Sequence, residues 1–181
     1  MRRELRSIGL AALAAASVSC GDVVRQGRSP VLLLVSSVSD TAGKTPINSD
    51  VTTLVNDPAQ ATIEAVMKNT TVSPTSNNLV TIRRYHVQFT RADGRNTEGI
   101  DVPYSFDGAV TATVAPGGSA TLAFDLVRHA AKHEPPLTQV ASGGTVLSTL
   151  TTITFYGEDT VGNSVSASGT IAVNFGRFGG S

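Results

Sequence analysis

The stretch SVSASGTIAVNF, residues 164–175, decides the fold. Val165, Ala167, Gly169, Ile171, Val173 and Phe175 share one parity, while Ser164, Ser166, Ser168, Thr170 and Asn174 share the other. A β-strand sends successive side chains to opposite faces, so this period of two describes a strand with one face in a core and the other in water. Upstream, Gly162-Asn163 supplies a turn and Leu147 to Glu158 reads as the partner strand of a hairpin. Alternation recurs in Leu122, Phe124 and Leu126, and in Ile100, Val102, Tyr104 and Phe106. Pro103 in the latter run removes a ladder donor and predicts an edge strand.

Further strands are expected at Val31 to Val38, Val51 to Val55, Val80 to Thr90 and Ala109 to Val114. Within Val80 to Thr90 the apolar phase changes, with Val80 and Ile82 on one parity and Tyr85, Val87 and Phe89 on the other. A bulge near Arg83 and Arg84 restores a single buried face. Asp93-Gly94, Asp107-Gly108 and Pro116-Gly117-Gly118 are turn signals. The segment Asp57 to Lys68 is ambiguous. Asp57-Pro58-Ala59-Gln60 has the form of a helix start, yet Ala61, Ile63, Ala65 and Met67 alternate with Thr62, Glu64 and Lys68. We read it as a strand, because a sandwich needs it to pair with its neighbours. His129 to Leu137 can hold a helical turn, ended by Pro135 and Pro136.

About eight or nine short strands separated by turns predict an all-β fold, an immunoglobulin-like antiparallel β-sandwich. The run Phe155-Tyr156-Gly157-Glu158-Asp159-Thr160-Val161-Gly162-Asn163 resembles the closing hairpin of bacterial immunoglobulin-like domains, which often carry an Asp-x-x-Gly-Asn turn. That resemblance speaks to fold and not to function. No internal repeat is visible, so one domain is expected.

The chain opens with Arg2, Arg3 and Arg6, continues without charge from Ile8 to Ala16, and reaches Ser17-Val18-Ser19-Cys20. A basic start, a short apolar stretch and small residues form a secretory signal, too short to span a membrane. Cys20, the only cysteine, rules out a disulfide within one chain. Its setting resembles the lipobox of bacterial lipoproteins, which implies a diacylated thiol at a new N-terminus. Ser19 and Gly21 fit that pattern, and Ser17 departs from its usual leucine. The expected organisation is a signal peptide over 1–19, lipidated Cys20 and a tether over 20–30, and the sandwich over 31–181. By the same resemblance the protein belongs in the cell envelope, and Gly21 after the cysteine favours the outer membrane in a Gram-negative source. The signal takes three Arg and one Glu from 14 basic and 14 acidic residues, leaving 11 and 13. Such a balance gives no case for nucleic acid as a partner.

Chemistry-bearing motifs are few. Ala42-Gly43-Lys44-Thr45 ends like a phosphate-binding loop, but the earlier glycine position holds Val38. His129 and His133 stand four apart, with Glu134 adjacent, a spacing that could hold zinc on a helix. Glu158, Asp159 and Asn163 could offer oxygens to calcium, which usually takes six to eight. Neither set is complete, so no metal and no cofactor are expected. There is no Gly-x-Ser-x-Gly or His-Glu-x-x-His motif and no tryptophan for a sugar platform, so neither an enzyme nor a carbohydrate binder is indicated. Arg83, Arg84, Arg91 and Arg95 are the densest positive run. Such residues more often keep an edge soluble and unpaired, and they are otherwise the candidate contact for an envelope protein or polymer. We expect a non-enzymatic interaction or structural module, with a metal-dependent binding domain or enzyme as the alternative.

Overall fold

The computed structural model describes residues 27–179, so the signal segment, Cys20 and the tether as far as residue 26 lie outside the described residues. Eight strands form two sheets: β1 (Val31–Asp40), β2 (Ile47–Asp50), β3 (Asp57–Met67), β4 (Val80–Thr90), β5 (Phe106–Val114), β6 (Ser119–Val127), β7 (Leu147–Asp159) and β8 (Ser164–Gly176). One sheet has the order β1-β3-β6, the other β2-β8-β7-β4-β5. A 3-10 turn, η1 (Ser76–Asn78), precedes β4, and two short helices, α1 (His129–Lys132) and α2 (Leu137–Gly143), fill the crossover from β6 to β7.

The core lies between the sheets and follows the parity of the strands. In β8, Val165, Ala167, Ile171, Val173 and Phe175 are buried. The ambiguous segment is β3, paired on both sides, with Ala59, Ala61, Ile63 and Ala65 wholly buried. This narrow stripe of mostly alanine leaves room for aromatic rings from the facing sheet. Phe124 stacks edge-on against Phe155, with ring centroids 5.4 Å apart, and lies 5.2 Å from Tyr85. Tyr85 crosses over Gly108, whose missing side chain makes room for the ring, and its hydroxyl donates to the Asp125 carbonyl on β6 at 3.2 Å. The bond ties the two sheets together along their β5–β6 side.

The bulge expected at Arg83 is present: pairing of β4 with both β5 and β7 shifts between Ile82 and Arg84. Four expectations change. Residues 100–105 form a loop before β5, with Ile100 and Tyr104 exposed and Val102 buried, so their alternation marks no strand. Asp107-Gly108 lies inside β5 and makes no turn. The short strand lies at Ile47–Asp50, not at Val51 to Val55, which form the loop after it. That strand pairs with β8 in parallel, so the sandwich is not wholly antiparallel. Asp50 pairs with Gly176, and Val51 donates to the Gly176 carbonyl at 3.0 Å.

The pairing of β7 with β8 runs from Leu147 opposite Phe175 to Glu158 opposite Ser164 and gives the molecule two poles. Thirteen residues at about 3.3 Å each separate them by about 40 Å. Packing at the N-terminal pole begins with Ser29, buried against Asp159, and Pro30, whose carbonyl accepts from Lys68. The β3–β4 loop, the β5–β6 turn and the β7–β8 turn share that pole. The β1–β2, β2–β3 and β4–β5 loops, the helices and the end of β8 form the distal pole.

Candidate functional site

The four arginines read as one surface fall into two places. Arg83 and Arg84 sit on the outer face of β4, where the bulge turns two consecutive side chains outward. The Arg84 guanidinium lies 4.0 Å above the Tyr156 ring, and its Nη1 donates to Asp107 Oδ1 at 2.7 Å. That bond holds the Asp107 carboxyl below its usual range, with His86 Nδ1 3.4 Å away adding to the effect. Together with Tyr156, Gly157, Glu158 and Ser164, the two arginines line a cleft of about 280 Å³.

Arg91 and Arg95 belong to the β4–β5 loop at the distal pole. Asp93 accepts from Arg91 Nε at 3.0 Å and from Arg95 Nε at 3.2 Å, so both cations fold onto one carboxylate, held well below its usual range chiefly by Arg91. The Asn96 side chain accepts from the Arg91 backbone N–H at 2.6 Å and closes the loop. Beside it, a groove of about 250 Å³ runs between Arg91, Arg95 and Ile100 on one wall and Pro136, Gln139 and Val146 on the other.

The metal candidates do not converge. His129, which opens α1, and His133, which caps it, meet edge to face with ring centroids 5.5 Å apart, both exposed. Among the described residues, no group of three His, Cys, Asp or Glu side chains is placed to hold an ion. Glu158 points outward from β7 while Asp159 is buried. The Asp159 carboxylate accepts from the Val161 and Asn163 backbone N–H groups at 3.1 and 2.8 Å and from Asn163 Nδ2 at 2.9 Å. Burial pushes its pKa up, but these amides and the Ser29 hydroxyl outweigh it and leave the carboxyl below its usual range. Gly162 supplies the positive φ of 84° that this turn requires.

No protein-family model and no curated protein matches the chain. Among solved structures, it is similar to a Northeast Structural Genomics Consortium target solved by X-ray crystallography, with 11% identity over 79% of this chain and 84% of that one and a TM-score of 0.39. It is also similar to a solution structure described as a late embryogenesis abundant (LEA) protein, with 12% identity over 97% of this chain and 88% of that one and a TM-score of 0.47. Neither likeness is close enough to carry a functional argument. The geometry of this chain has to carry it.

One group escaped the sequence reading. Lys132, with a wholly buried side chain, donates from Nζ to Thr53 Oγ1 at 2.7 Å and to Asp57 Oδ1 at 2.9 Å. Asn56 lies beside the pair, donating to Asp125 Oδ2 at 2.8 Å and accepting the His129 backbone N–H at 2.8 Å. These contacts pin α1 to the start of β3. The β2–β3 loop is thereby fastened to α1, while its Leu54 and Val55 remain exposed.

Proposed function

We propose that the protein is a lipid-anchored module of the cell envelope, immunoglobulin-like in its sandwich, that holds a partner protein or polymer at its distal pole and performs no chemistry. The single observation that carries this reading is where apolar surface is exposed. Of the eleven large apolar residues exposed among the described residues, seven lie at the distal pole: Leu54, Val55, Ile100, Tyr104, Val146, Leu150 and Phe178. Scattered apolar side chains need no explanation, but a gathering at one pole, with Ile100 and Val146 on the walls of its groove, supports a contact surface there. Arg91 and Arg95 at the groove wall add polar anchors of the kind enriched at interfaces. The anchor part of the proposal is supported by the basic start, the apolar stretch and Cys20 in the sequence, and by the entry of the chain into the sandwich at Ser29, at the pole opposite these loops.

Crosslinking in the native cell tests the reading. Ile100→Lys with Val146→Lys is expected to abolish a crosslinked complex without lowering the melting temperature, since both side chains are exposed. An unchanged crosslinking profile would remove the distal pole as the contact surface. Release of the chain from membranes by Cys20→Ser tests the anchor separately, because two acyl chains hold a protein stably where one is marginal. An unaltered membrane fraction for that variant rejects lipidation.

A further inference from the structure

We propose that the N-terminal pole seats directly on the lipid surface, with Val72 and Val161 entering the headgroup region, so that the domain stands upright with its distal pole outward. The proposal rests on the anchoring of Cys20 and adds to it an orientation and a second membrane contact.

Three loops make the N-terminal pole, and Lys68, at the exit of β3, is their one charged residue: residues 68–79 between β3 and β4, 115–118 between β5 and β6, and 160–163 between β7 and β8. The distal loops differ sharply. The β4–β5 loop alone holds Arg91, Asp93, Arg95, Glu98 and Asp101, and the crossover from β6 to β7 holds Arg128, Lys132 and Glu134. Burying a charge in the apolar part of a bilayer is costly, and the neutral residues of these turns avoid that cost. Other charged side chains near the N-terminal pole are Arg28 beside the incoming chain, Glu64, Arg83, Arg84 and Glu158 on outer sheet faces, and the buried Asp159.

The tips of two of these loops are apolar. Val161 is 69% exposed and Val72 51% exposed. Their loops are held together, since Thr160 donates from its backbone to the Leu79 carbonyl at 3.1 Å and from Oγ1 to the Ser76 carbonyl at 3.2 Å. These bonds join the two loops at Thr160, Ser76 and Leu79. Chain length supplies the occupant. Seven steps separate Cys20 from Gly27, a reach of at most about 25 Å when fully extended, well short of the domain's length of about 40 Å. A lipid on Cys20 therefore keeps this pole, and not the distal one, against the bilayer.

The chain contains no tryptophan, so one introduced residue reports alone. Val161→Trp and Val72→Trp are compared with Val55→Trp and Ile100→Trp, all at exposed positions, in the acylated full chain on phosphatidylethanolamine–phosphatidylglycerol vesicles containing brominated lipid. Emission is expected to fall about twofold for Trp at 161 and 72, the depth of interfacial side chains, and to hold at 55 and 100. Equal quenching at both poles, or none at 161 and 72, overturns the seating. Mass analysis of the N-terminal peptide reports acylation on its own. If Cys20 proves unacylated, coupling its thiol to a maleimide lipid restores the tether. The same four emissions then decide the seating while the natural anchor has already failed.

Discussion

Asp159 stabilises its turn only while ionised, so its contribution depends on pH. Because its folded pKa lies below the ordinary carboxylate value, the stabilisation is present above about pH 4 and is lost as pH falls through the lowered value. Asp159→Ala leaves amide donors without an acceptor and should cost about 1–3 kcal/mol at neutral pH. Asp159→Asn should show a shallower acid decline than the wild type in thermal melts from pH 7 to 3. A parallel decline would show that the carboxylate contributes nothing. This turn was legible because donor and acceptor lie within five residues. The Lys132–Asp57 pair was not, since its partners are 75 residues apart and nothing local in His129-Ala130-Ala131-Lys132 marks a buried cation. Lys132→Met should destabilise the fold by about 3–5 kcal/mol by leaving Asp57 with no partner charge, and adding Asp57→Asn should recover part of the loss. Denaturant melts of the single and double variants measure both.

Among the elements, those that alternate and face the core on one side were readable. β4 was found with its bulge because Ile82 and Tyr85 have opposite parity yet must share one face. β3 was found because alanine alternates with polar residues, and a helix there would leave β1 and β6 without a shared partner. The loop at residues 100–105 was misread because alternation needs a neighbour to mean strand, and Glu98 and Val102 form only an isolated bridge. β2 was missed because Ile47-Asn48-Ser49-Asp50 is short and half polar, and its pairing depends on the far end of the chain. Within these elements, Phe124→Ala should cost about 3–5 kcal/mol, because the ring fills the space between Tyr85 and Phe155. Gly108→Val should be more damaging than its exposure implies. A Cβ there would lie 2.2 Å from the Tyr85 ring and would break the bond between sheets that runs through its hydroxyl. A Gly108→Val variant as stable as the wild type would refute that role.

For the whole molecule, the all-β, two-sheet class was legible and the division into two poles was not. Sequence shows that 69–79, 115–118 and 160–163 lack charge, but only the strand directions reveal that all three turns meet at one end. The same directions separate Arg83 and Arg84 from Arg91 and Arg95, which proximity along the chain had joined. A fragment spanning 27–179 contains both sheets and their core, so it should fold alone with a β-type circular dichroism spectrum and little helix. A helix-dominated spectrum would contradict the architecture.

The way the chain joins the sandwich at Ser29 and Val31 also sets how the molecule bears force. A load applied between the distal loops and the N-terminus, as the proposed partner and anchor would apply it, stretches the domain along its strands. β1 runs antiparallel to β3 from Val31 opposite Met67 to Asp40 opposite Ala59. Tension then slides β1 along β3 and loads the whole ladder at once, instead of peeling its hydrogen bonds one after another. Mechanical lifetime under such a load is governed by the unfolding rate and not by equilibrium stability. Pulled between its N-terminus and the distal loops, the domain should resist as a clamp, and pulled across the strands from β1 to β6 it should open at much lower force.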